Sequence, residues 1–236
     1  MMRRSIELTL LALVFVASAA RADTPPLRRL VYSFTYSSQQ QGAVPNEPGS
    51  SGNRSYNGSL ADKGTIAVDV LREASDRGLV VVVSEQGEQT RGAVPATCAV
   101  YGNTNVACDP TKQVNREEYA VLRFLGVNFV DPNKVDANGQ WSVSDTQGST
   151  KMTATYTLKN NQNGILSIDE SRHIEDTSQG SMTFDAETKL VYDGPRLVPT
   201  SVEEYATEDR HSGVNGVYHT TYQTTLSLVS DSRAKP

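Results

Sequence analysis

Apolar and polar residues alternate with a period of two along most of this chain, the mark of half-buried β-strands. Between residues 27 and 37, Leu30, Tyr32, Phe34 and Tyr36 fall on one side, with Val31, Ser33, Thr35 and Ser37 on the other. Ile66, Val68 and Val70 share a face within Gly64 to Leu71. Leu79 to Glu85 holds four consecutive valines, a run that suits a strand covered on both faces. The clearest alternation comes where Met152, Ala154, Tyr156 and Leu158 interleave with Thr153, Thr155, Thr157 and Lys159. Further strands are predicted over Ile165 to Glu175 and Ser201 to Arg210, and from Met182 and Phe184 through a tight turn at Asp185 to Lys189 into Leu190 to Tyr192. The last strand, Val217 to Val229, sets Tyr218, Tyr222, Leu226 and Leu228 on one face.

The period changes once. Asn115 has the character of an N-cap with an acidic residue three positions later, and Tyr119, Leu122, Val121 and Leu125 then recur at helical spacing up to Gly126. Ser38 to Ser59 is dominated by Gln, Gly, Pro, Ser and Asn, so a mobile loop is predicted at 38–59. Asp136 to Gly139 and Asn160 to Gly164 are turn-forming.

These elements constrain one another. About nine strands at roughly 4.8 Å spacing make a sheet some 40 Å wide, whereas a helix of about eleven residues is only about 16 Å long. Such a helix cannot cover the apolar face. The prediction is therefore a mainly β fold: a strongly curved antiparallel sheet or partial barrel of about nine strands, with one short helix across its mouth.

The first residues read as an address. Arg3 and Arg4 precede an apolar run from Leu8 to Ala17, and Ala20-Arg21-Ala22 offers small residues for cleavage before Asp23. Residues 1–22 are thus predicted to be a signal peptide and 23–236 a single β-rich domain. The mature chain is expected to be soluble in the periplasm or outside the cell, with no transmembrane segment, since the leader's own apolar run is too short for a comfortable span. Removing the leader takes away three arginines and one glutamate, which moves the formal charge from −5 to roughly −7. Scattered basic residues under a negative total argue against nucleic acid and anionic membrane surfaces as partners.

Two cysteines occur, Cys98 and Cys108, with turn chemistry at Gly102-Asn103 between them. In an exported chain this spacing points to a disulfide across a hairpin; a redox or metal role would want a Cys-x-x-Cys spacing or further ligands.

Other candidate chemistry is sparse. The stripe Tyr32, Phe34, Tyr156, Leu158, Tyr218, Tyr222 and Leu226 reads either as the wall of a pocket for an apolar or amphipathic ligand or as the packed interior of a barrel. Asp169 to His173 and Glu208 to His211 combine charge with histidine, and cross-strand ion pairs explain them better than a metal does. Asp131, Asn133, Asp136 and Asn138 crowd oxygens together without EF-hand spacing, as turn-forming residues do. No nucleophile elbow, zinc-protease motif or phosphate-binding glycine loop is present, and no cofactor is implied.

The helix Glu117 to Leu125, running through Leu122-Arg-Phe-Leu-Gly126 into Trp141, and the strands from Met152 to Val229 together resemble the periplasmic lipoprotein-carrier superfamily of half-barrels. The resemblance covers about half the chain and implies a lipid or acyl ligand on a concave apolar face. The cysteine hairpin and the acidic Ser201 to Arg210 strand depart from that plan. The leading expectation is a non-enzymatic exported binding protein for a lipid-like ligand. Its rivals are a filled-core module docking a cell-envelope protein, and a hydrolase using His173 and His211.

Overall fold

A computed structural model describes residues 25–45, 53–73, 78–89, 94–101, 105–125, 135–178, 180–212 and 216–233. The predicted leader lies outside them, as do Asp131 and Asn133. Eleven strands form one antiparallel sheet: β1 (Arg28–Pro45), β2 (Asn53–Glu73), β3 (Leu79–Gly87), β4 (Ala96–Val100), β5 (Val106–Cys108), β6 (Gln140–Gln147), β7 (Thr150–Gln162), β8 (Ile165–Asp176), β9 (Ser181–Asp193), β10 (Val198–Ser212) and β11 (Gly216–Asp231). The helix α1 spans Arg116–Leu122. The strand order is β5-β4-β3-β2-β1-β11-β10-β9-β8-β7-β6, so the first and last strands lie side by side and two meanders run outward from that seam. Arg28 clamps the seam, donating to both carboxylate oxygens of Asp231 at 2.9 and 2.6 Å.

Three predicted elements need correction. The loop expected at 38–59 is largely strand: residues 38–45 complete β1 and 53–59 begin β2, paired in continuous register from Ser38↔Leu60 to Pro45↔Asn53. Residues 46–52 lie outside the described set. A ladder is made by backbone groups, so Gln- and Ser-rich segments extend a hairpin once neighbouring strands fix its register. The turn expected at Asp185 to Lys189 is the middle of β9, where Phe184, Ala186, Thr188 and Leu190 are buried and Asp185, Glu187 and Lys189 exposed. β6 is an additional strand, with Trp141 buried and its other residues mostly exposed. By contrast, the Asn163-Gly164 turn joins β7 to β8 as a two-residue hairpin with φ of 54° and 84°, the left-handed geometry this dipeptide favours.

Eleven strands laid flat would span roughly 48 Å, yet the two edges meet. Asn105, just before β5, donates to Asp145 on β6 at 3.1 Å. The sheet is therefore rolled almost into a barrel, its edges bridged by side chains and not closed by a backbone ladder among the described residues. So wide a curl leaves a lumen that strand side chains alone do not fill. The helical segment fills part of it. Glu117, Glu118, Ala120, Val121, Leu122, Arg123, Phe124 and Leu125 are all buried, which places the segment inside the curl instead of across its mouth. A capping box starts the helix, with Asn115 N–H donating to Glu118 Oε2 at 2.8 Å.

The inner face is organised in cross-strand rows. Phe34, Leu226, Val202, Leu190, Ile168 and Leu158 form one apolar row across β1, β11, β10, β9, β8 and β7. Most outward positions on β7 to β11 are polar or charged, such as Thr153, Asp169, Ser171, Asp185, Glu187, Glu203 and Gln223, with Tyr205, Val217 and Val229 among the exceptions. That pattern is the reverse of the apolar outer band of a membrane-spanning barrel.

Candidate functional site

One row beyond the apolar one, the inner face turns polar. Tyr36, Thr224, Glu204, Thr188, Glu170, Tyr156 and Trp141 pair in register across seven strands. Arg123, at the end of α1, reaches into this row. Its Nη1 donates to both oxygens of Glu170, 2.6 Å from Oε2, and its Nη2 donates to Glu204 Oε2 at 2.7 Å and Thr188 Oγ1 at 3.1 Å. Thr188 in turn donates to Glu170 at 2.8 Å. Burial opposes the Arg123 charge, but Glu170 and Glu204 outweigh it and hold the guanidinium protonated more firmly than usual. Burial likewise works against ionised Glu170, yet Arg123 and Arg172 bring it down to about 2.

The next row sets three alanines between larger residues: Ala154, Arg172, Ala186, Ala206 and Tyr222. Beside this row, between α1 and the sheet, lies a cleft of about 350 Å³. Ile174, Met182 and Phe184 form its apolar wall opposite Val114, Tyr119 and Ala120. Arg116, Arg123, Arg172, Glu204 and Glu208 supply its charged groups. Arg116 packs its guanidinium 3.6 Å from the Tyr222 ring centre and 4.6 Å from that of Phe184, and pairs with Glu208 at 3.4 Å. The Tyr222 hydroxyl donates to the same Glu208 oxygen at 3.2 Å.

On the other side of the helix sits a second group of charges. Burial first, and then neighbouring Glu85, Glu118 and Asp62, raise Glu117 to about 7. Burial and Glu85 raise Glu118 to about 7 as well. Asp62 Oδ1 accepts the backbone N–H groups of Lys63, Glu88 and Gln89 at 2.7 to 3.1 Å.

The residues singled out in the sequence fall into two groups. Tyr32, Phe34, Tyr156 and Leu226 are buried in the main core and Leu158 packs against it. Tyr32 donates to the Pro199 carbonyl at 3.0 Å, and Tyr156 stacks on Trp141 with ring centres 5.1 Å apart. Tyr218 and Tyr222 are half-buried further along β11, Tyr218 lying over Gly42 and Tyr222 beside the cleft. The cleft itself is lined by other residues. Arg123, Glu170 and Glu204 gave no sequence signal as a network, because 47 and 81 residues separate the arginine from its partners. The alternation did hold the clue that Glu170 and Glu204 occupy inward positions.

Cys98 and Cys108 are register partners joined by the expected disulfide. His173 hydrogen-bonds Asp185 at 2.7 Å and His219 hydrogen-bonds Asp209 at 2.8 Å, cross-strand contacts on the outer face. Asp136 Oδ1 accepts the N–H groups of Asn138 and Gln140, a turn-stabilising role. Among the described residues, no group of three or more His, Cys, Asp or Glu side chains is placed to hold a metal ion.

No family model matches the chain, and no curated protein matches it. Among solved structures, the chain is similar to lipovitellin, in a structure concerned with its lipid-protein interactions, at a TM-score of 0.50 and 9% identity. That match covers 90% of this chain and 26% of the other, so the chain spans about a quarter of that protein's length. A second likeness, to an outer membrane channel from Pseudomonas putida, has a TM-score of 0.32 and 10% identity over 88% of this chain and 97% of that one. Neither is named as a member of the periplasmic lipoprotein-carrier superfamily. What the lipovitellin match shows is shared architecture, a large open antiparallel sheet. Among the described residues no helix is long and apolar enough to cross a membrane.

Proposed function

We propose that this protein is a non-enzymatic, exported binding protein that holds an amphipathic, lipid-like molecule inside its rolled sheet. The observation that carries the reading is the cleft beneath α1, which Ile174, Met182 and Phe184 line together with the charged Arg116, Arg172, Glu204 and Glu208. A largely apolar cavity with a few convergent polar groups, of roughly 300 Å³ or more, is the form that small-molecule sites take. The filled core accounts for Tyr32, Phe34 and Leu226, so the guest's place is the cleft between α1 and the sheet. The disulfide fits an oxidising compartment. The lipovitellin likeness supports the architecture only.

Native mass spectrometry of gently purified protein is expected to show a retained guest. Met182→Trp, which fills the cleft, is expected to release it while leaving the circular dichroism spectrum unchanged. Finding bare polypeptide in the wild type, together with no uptake of a fluorescent fatty acid, would defeat the proposal.

A further inference from the structure

Arg172 stands at the inner end of the cleft, and its surroundings do not fully answer its charge. The side chain is 10% exposed. Its Nη2 donates to Glu204 Oε2 at 3.1 Å, the same oxygen that receives Arg123 at 2.7 Å, so two guanidinium groups share one carboxylate oxygen. Glu170 is turned toward Arg123, which it meets with both oxygens. Arg172 Nε has no hydrogen-bond partner among the described residues. A buried N–H in that condition carries a desolvation penalty that a ligand oxygen relieves.

Arg172 is flanked by Ala154 on β7 and Ala186 on β9, both too short to reach its guanidinium edge. Phe184 lies below it, with its ring centre 5.2 Å away, and Ile174 continues the apolar wall toward the mouth. The cleft as a whole is lined by three arginines against two glutamates. Burial and then the neighbouring Arg123 cation pull the Arg172 pKa down, against the opposing pull of Glu170 and Glu204.

Resting on the binding role proposed above, we infer that the guest carries an anionic head, a carboxylate or phosphate, and that the Arg172 guanidinium, which lines the cleft, receives it. Arginine suits this because Nε and one Nη form a planar fork that matches two oxygens of either anion. The tail then runs along Ile174, Met182 and Phe184 toward the mouth.

The test is equilibrium binding of four twelve-carbon probes that differ only in their heads: dodecanoate, dodecyl phosphate, dodecanol and dodecyltrimethylammonium. The full-length wild type is expected to bind one or both anions at least tenfold more tightly than the alcohol, and the ammonium most weakly. Whichever anion wins separates a fatty-acid guest from a phosphate-headed one. Arg172→Gln is expected to reduce anion binding to the level of the alcohol, with alcohol affinity unchanged within about twofold. Arg172→Lys should keep part of the preference, since it retains the charge without the fork. Equal wild-type affinity for all four heads would overturn the headgroup assignment and leave the binding role standing, and that ranking needs no variant to fold. Failure to bind any of the four would remove both.

Discussion

The N-terminal turn of α1 makes a prediction whose sign is opposite to that of most carboxylates. Glu117 and Glu118 lie buried in the lumen near Glu85 and Asp62, and both are raised from 4.5 to about 7. Between those values the folded protein holds more protons on these groups than the unfolded chain does, so their contribution to stability falls as pH rises through that window. Below it the burden is absent; above about pH 7 it is fully present. One pKa unit corresponds to about 1.36 kcal/mol, which makes each shift worth about 3 kcal/mol at face value. Solvent near the helix start and the interaction between the two groups reduce this to roughly 2–4 kcal/mol for the pair. The double substitution Glu117→Gln and Glu118→Gln removes the charge and leaves at position 118 an amide able to serve the capping box. Urea unfolding at a series of pH values is the assay. The two proteins should have nearly equal stability at pH 4, and the variant should gain roughly 2–4 kcal/mol over the wild type by pH 8. Contributions from other groups, including Glu170, cancel in the difference. A variant that is less stable at pH 8, or a difference that does not change with pH, would refute this account of the helix start.

Two further perturbations probe the interior and the edge of the sheet. Arg123→Met leaves Glu170 and Glu204 buried without their main counter-charge and should cost about 3–5 kcal/mol in urea unfolding, part of which Glu170→Gln restores. Replacing Cys98 and Cys108 together by serine opens a closure of sequence separation 10 and should cost about 2–3 kcal/mol, with reductant shifting the wild-type midpoint by a similar amount. No effect of reductant on that midpoint would show that the cross-link adds nothing to stability.

Alternation revealed the long strands whose inner positions are apolar, though not β6, which sets only Trp141 and Val143 inward. It faltered where the inner positions are polar or small. Ser38 and Gln40 on β1 offer no apolar signal, yet they pair with Tyr222 and Thr220 as regularly as Phe34 pairs with Leu226. The charged run in β9 resembled a turn because Asp185, Glu187 and Lys189 are prominent, while Ala186 and Thr188 between them bury too little surface to announce a strand. Arg123 was visible only as one residue within a helical segment. Nothing local could show that it is buried against two glutamates, since each glutamate sits in an ordinary charged strand.

What the sequence determined by itself was therefore the local content: antiparallel strands with their inward faces, one capped helix, a hairpin cross-link, and more apolar face than that helix could shield from outside. Only the tertiary structure decided how the surplus is resolved. The sheet rolls until Asn105 and Asp145 meet, the helical segment enters the lumen, and a cleft lined by Arg172, Ile174 and Phe184 is left between the two. Periodicity is a property of neighbours along the chain, whereas a lumen, a shared carboxylate and a cleft depend on strand order and register, which bring together side chains many residues apart.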